Sequence, residues 1–331
     1  MIVVNITDAK LQYLQSVIDV CALPVGASVP FRYNTKWVQQ SILERVREGK
    51  SLPLLALFFL SGNRPGLRDA REIPMRQASV KSAEIIGEYL VIEACVGEFY
   101  NESFIMACSS PEMLEELLVF PKRGNFVFED PGIVTRLASL GVATAETWQF
   151  VVKHLGAMPP LAGAHFCLVE QIRDVGGDKV ATFDSESLLL AANRHYEVLI
   201  HTATSCSKTE SPPAATFALT QELGDVNDVP DIPMSGKYDQ RTIGFSTRDT
   251  RLQAHGTLIL SSGVSLSPNV KIKAAIPGRW GVEILRRCLM GCGAALAGSS
   301  GVIPETVPIV IKVLLVVVGA FLIALAPAEA K

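Results

Sequence analysis

Three hydrophobic patterns succeed one another along this 331-residue chain. The first is mixed. Leu11, Leu14, Val17 and Ile18 recur at helical spacing, with Thr7 or Asp8 placed to cap the helix. Residues 37–47 predict a second helix, stopped by Gly49. The compact apolar run 52–60 sits between Pro and Gly signals and predicts a buried strand. Residues 71–100 alternate in part and predict strands, with a hairpin turning near Gly87. Two further helices are predicted at 110–118, where Ser110 caps and Pro111 opens the first turn, and at 144–155.

The second pattern begins after about Asp184, where helical spacing gives way to short β-branched runs between turn residues. The runs are 196–202, 215–220, 242–247, 256–260 and 270–276. Short strands at this density predict an all-β sandwich of Ig-like size. Pro277 and Gly278 close it.

The third pattern is almost uncharged. Residues 288–303 and 309–326 are apolar runs split by Pro304, Glu305 and Pro308. At 1.5 Å per residue they extend roughly 24 and 27 Å, against a hydrocarbon core of about 30 Å. The second is long enough to span. The first reaches that length when Ile284 and Leu285 are drawn in, with Arg286 and Arg287 snorkelling outward. Basic residues flank the outer ends and none lies in the turn, which fits a hairpin with both ends cytoplasmic. The sequence therefore predicts an α+β N-terminal domain over residues 1–185, a β-sandwich over 186–278, and a membrane anchor over 279–331. Its transmembrane helices are expected near 284–303 and 308–327.

Within the anchor, Gly293, Ala297 and Gly301 lie four apart on one helix face, and Ala320 and Ala324 repeat that spacing on the other helix. Small residues in such rows let helices approach closely in lipid. Lys312 places a cation inside the second run, where it either snorkels to the turn side or faces a polar lumen. Arg279 and Trp280 join Arg286 and Arg287 as interfacial anchors.

Charge and cysteine usage fit this layout. The net charge is −3, and no long basic run is present, so nucleic acid is expected to be met indirectly if at all. No basic segment precedes an early apolar run, so no signal peptide is expected. Seven widely spaced cysteines suit reduced, buried thiols better than a disulfide framework.

Motifs for chemistry are mostly lacking. Phosphate-cradling glycine loops, HExxH and GxSxG do not occur, and the five histidines show no metal-ligand spacing. No catalytic residue, metal or cofactor is expected. The acidic run 224–231 resembles the calcium-binding linker of cadherins over these few residues. It departs from that pattern at Val229 and Pro230, which leaves a polar sandwich loop as the reading. The remaining ligand or partner candidates are cationic: Arg32 in an aromatic–basic stretch, and the group Arg64, Arg68, Arg71 and Arg76.

The whole layout resembles that of membrane effectors of prokaryotic antiviral systems. The resemblance implies a cytoplasmic head that senses a ligand or partner, and C-terminal helices that oligomerise and disrupt the inner membrane. The implied partners are the bilayer and either another protein or further copies of the chain. Two alternatives stay open. One is a tail-anchored binding or scaffold protein. The other is a membrane-bound enzyme without a familiar motif, with acids such as Glu84, Glu88 and Glu93 forming its site.

Overall fold

A computed structural model describes residues 1–7, 10–61, 71–101, 125–130, 145–184, 187–204, 213–228, 231–234, 238–250, 253–278, 316–318 and 320. The described part is mostly β-sheet, with few helices.

The first half is α+β. Strand β1 (Ile2–Thr7) runs parallel to β3 (Leu55–Ser61), and every residue of both is buried. Between them come helix α1 (Leu11–Ala22), edge strand β2 (Ser28–Asn34) and helix α2 (Gln40–Arg47). The long hairpin β4 (Arg71–Ile86) and β5 (Tyr89–Phe99) turns at Gly87, whose φ of 59° suits glycine. Short β6 (Val127–Glu129) completes a sheet in the order β2-β5-β4-β3-β1-β6.

Helix α1 begins later than its spacing predicts, because β1 continues through Thr7. Lys10 holds the N-cap position without a side-chain bond. A 3-10 turn at Thr35–Trp37 likewise delays α2 to Gln40. The helix expected at 110–118 lies outside the described residues, whereas α3 (Ala145–Gly156) forms where its periodicity indicates.

The second half is sandwich-like. One sheet holds β7 (His165–Asp174), β8 (Lys179–Val180), β11 (His195–Thr204), β13 (Gly224–Val226) and β15 (Asp239–Thr247), in the order β13-β15-β11-β7-β8. The other holds β9 (Phe183–Asp184), β10 (Ser187–Leu189), β12 (Ala214–Leu219), β14 (Asp231–Pro233), β16 (Ala254–Ser261) and β17 (Asn269–Ile276), in the order β14-β12-β16-β17-β10-β9. Phe217 of β12 meets Phe245 of β15 across the interior, with ring centroids 6.1 Å apart. All five runs read from the sequence are strands. The composition change near residue 185 lies within this unit, because β7 pairs with β11 along its length.

Helices α1 and α3 touch both halves: α1 packs on β1, β7 and β17, and α3 on β4, β5, β7 and β11. The expected membrane hairpin lies outside the described residues, except for Val316, Val317, Val318 and Ala320, which are helical and exposed. Among the described residues no helix is long and apolar enough to cross a membrane.

Candidate functional site

Polar chemistry inside the described fold concentrates where α1 and α3 join the halves. The last turn of α1 carries no basic residue to complement its carbonyl end. Arg76 reaches in from β4 and supplies one. Its Nη1 donates to the carbonyls of Val20 at 3.0 Å and Leu23 at 2.5 Å. Its Nε and Nη2 donate to the carbonyl of Gly97 at 2.8 and 2.5 Å. The guanidinium also lies 4.2 Å from the centre of the Phe99 ring. Burial lowers its pKa to about 10, so it remains a cation at neutral pH. Beside it, Trp148 of α3 donates Nε1 to the carbonyl of Cys21 at 3.1 Å. Burial pushes the Cys21 thiol up to about 12, as expected of an inert core cysteine.

The opposite face of α1 is tied to the approach of β17. Gln15 donates Nε2 to the Ser267 carbonyl at 2.7 Å and to Asp19 Oδ1 at 2.8 Å. The backbone N–H of Asn269 donates to the same Asp19 oxygen at 3.0 Å. Burial raises the Asp19 pKa to about 6, and these two donors oppose the rise.

The third feature is a hydrogen-bonded trio on the β7–β11–β15 sheet. Nε2 of His201 meets the carboxylate of Glu170, and Nδ1 meets the hydroxyl of Tyr238. Glu170 occupies a β-bulge: Val169 faces Ile200 and Gln171 faces Leu199, so Glu170 has no ladder partner. Bulges commonly re-aim side chains in this way. Trp148 packs against both rings of the trio, 6.2 Å from His201 and 6.1 Å from Tyr238. His201 is 4% exposed and Tyr238 40%.

A groove of about 400 Å³ lies between the halves. Ser28, Glu84 and Glu93 from the first sheet face Phe183, Lys271 and Lys273 from the second half. Glu84 and Glu93 thus share one surface. Glu88 sits at the hairpin turn, accepting from Asn34 Nδ2 at 3.3 Å.

The arginine candidates do not assemble. Arg32 is exposed on β2, its guanidinium 3.8 Å from the centre of the Tyr89 ring. Arg64 and Arg68 lie outside the described residues, and Arg71 opens β4. Arg76 is fully buried, its guanidinium bonded to the backbone carbonyls of Val20, Leu23 and Gly97. Gly293, Ala297, Gly301, Ala324, Lys312, Arg279, Trp280, Arg286 and Arg287 also lie outside the described residues.

The acidic run tightens the sandwich. Asp228 accepts from the Gly244 N–H at 2.5 Å, Asp225 pairs with Arg248 at 3.3 Å, and Asp231 accepts from Thr216 at 3.0 Å. Among the described residues no group of three or more His, Cys, Asp and Glu is arranged to hold a metal.

Sequence reasoning passed over the Glu170–His201–Tyr238 trio, because its members lie 31 and 37 residues apart and form no local motif. The available signal was Glu170 and His201, polar residues within otherwise apolar strands; Tyr238 precedes β15 among polar residues and offered none.

No protein-family model matches the chain, and no curated protein matches it.

Proposed function

We propose that the chain is a membrane-anchored effector whose cytoplasmic head governs a C-terminal transmembrane hairpin. In this reading the second half is an Ig-like sandwich, the hairpin spans near 284–303 and 308–327, and the helices oligomerise to disrupt the membrane. The observation that carries it is the position of β17. Helix α1 holds the approach to this strand through Asp19 and Gln15, and the chain leaves the strand at Pro277 and Gly278, directly ahead of the apolar segment. A rearrangement of α1 in the first half therefore has a short covalent route to the anchor. Gly293, Ala297 and Gly301 supply a face for close helix association, and Lys312 a charge that favours a hydrated lumen once helices assemble.

The test is membrane potential in cells expressing the full chain. Depolarisation is expected, and Lys312→Leu combined with Ala297→Leu should abolish it while the protein stays in the membrane fraction. Intact potential at high expression across a range of stresses, or a double variant as active as the parent, argues against the reading.

A further inference from the structure

We propose that Glu170, His201 and Tyr238 form an acyl-transfer site, with Tyr238 as nucleophile, His201 as its base and Glu170 as the residue that positions the imidazole. A nucleophile hydrogen-bonded to a base that is itself oriented by a third group is the general arrangement for covalent catalysis. With the carboxylate of Glu170 accepting from Nε2–H, Nδ1 of His201 is left to accept the phenolic proton. Both nitrogens are engaged and Trp148 packs beside the ring, so the imidazole is held in one orientation. The exposures also divide by role. The base is shielded from water at 4%, while the residue that meets a substrate is open at 40%.

The reaction balances without an added cofactor. The Tyr238 oxygen forms a bond to the carbonyl carbon of an ester, and its proton passes to His201 Nδ1. Collapse of the tetrahedral adduct breaks the bond to the alcohol, which leaves with that proton. Water, giving a proton to the same nitrogen, then cleaves the tyrosyl ester to a carboxylic acid and restores the phenol. The carboxylate of Glu170 beside the ring disfavours a dianionic phosphoryl group. A small uncharged carboxylic ester is the class that fits.

The experiment uses the full chain in detergent with 4-nitrophenyl acetate as the probe. Release of 4-nitrophenol is expected, with acetyl found on Tyr238 by peptide mass analysis ahead of Tyr13, Tyr89 and the lysines. Tyr238→Phe should reduce release to the background of the remaining side chains. His201→Gln should lower the rate by about 100-fold or more, the usual scale of general-base catalysis. Glu170→Gln is the variant that separates positioning from folding, because Glu170 is only half-buried. It should lower kcat with little change in KM, and Glu170→Asp should restore part of the rate by returning a carboxylate acceptor to Nε2–H. Acetyl spread evenly over tyrosines and lysines overturns the proposal. So does parental release by Tyr238→Phe, or a Glu170→Gln variant that keeps the parental kcat.

Discussion

In the first half, β1 and β3 are buried at every position. In the second, β17 alternates: Val270 and Ile272 face inward, while Asn269, Lys271 and Lys273 are exposed. The first arrangement belongs to a parallel pair inside a sheet covered by other elements, as α1 covers β1 and α2 and α3 pack on β4. The second belongs to facing sheets that each bury one side. The difference decides where polar groups can reside. Among the covered strands of the first half a polar group must find partners inside protein, and Arg76 does so entirely with backbone carbonyls. In the second half polar residues collect on open faces, and Glu170 and Tyr238 keep solvent access while His201 does not.

The sharpest way to break this comparison is to remove the side chain common to both halves. Trp148 is fully buried, bonds to α1 and packs on His201 and Tyr238. Trp148→Ala should destabilise the protein by about 3–5 kcal/mol, the range for deleting a large buried aromatic. It should lower the denaturant midpoint of both halves together. A change confined to one half would show that α3 serves only that half. Next in size is Arg76→Met, which leaves three inward carbonyls without their donor. Hydrogen bonds to charged groups contribute about 1.5–3 kcal/mol, and each orphaned buried polar group costs about 1–3 kcal/mol. A loss of roughly 3 kcal/mol in chemical unfolding is expected. Arg76→Lys should recover only part of it, because one ammonium does not reproduce the guanidinium fork.

Arg76, set beside the strands, also shows what the sequence discloses and what it withholds. The strand at β3 was legible because an unbroken apolar run bounded by Pro and Gly has few other solutions. The short run that becomes β17 and the glycine turn at Gly87 were legible for the same local reason. Arg76 was not. In sequence it stands in a set of arginines, and only the pairing of β4 with β5, together with the seating of α1, turns it inward. The β7 strand was missed as part of the sandwich because its partner β11 lies beyond a change in composition. The trio required a bulge, a strand pairing and a helix from elsewhere, none of which has a local signature.

A smaller effect tests whether the sandwich is packed as closely as the first half. A Cβ on Gly256 would lie 2.0 Å from Thr220 Oγ1 and 2.6 Å from Leu223 Cγ. Thr220 Oγ1 also accepts from the Thr257 N–H at 3.0 Å, so it cannot move away without losing that bond. Gly256→Ala should destabilise by about 1–3 kcal/mol, the usual penalty for overpacking. Hydrogen exchange should locate the effect in β12, β16 and β17, leaving β1 and β3 protected. Equal loosening of β1 would mean that the halves unfold as one unit.

The smallest effect concerns the tie between the halves, and here the sign is informative. Asp19 titrates near 6 in the folded protein against 3.8 for the free side chain, because burial disfavours its charge more than Gln15 and Asn269 favour it. Below about pH 4 the carboxyl is protonated in both states and burial carries no charge penalty. Between about pH 4 and 6 the unfolded chain releases its proton first, so the contribution of Asp19 to stability falls as pH rises. Above pH 6 the penalty is complete and constant. Its upper bound follows from about 1.4 kcal/mol per pKa unit. Asp19→Asn keeps an oxygen for the Asn269 N–H but adds an amide that needs its own acceptor. It should therefore gain only about 1–2 kcal/mol at neutral pH, and unfolding measured from pH 4 to 7 should show a flatter slope than the parent. If the slope is unchanged, the carboxylate of Asp19 is solvated in solution and the contact between α1 and β17 is looser than its hydrogen bonds indicate. If the variant gains stability but also loses membrane activity, the burial of that charge is part of how the two halves communicate.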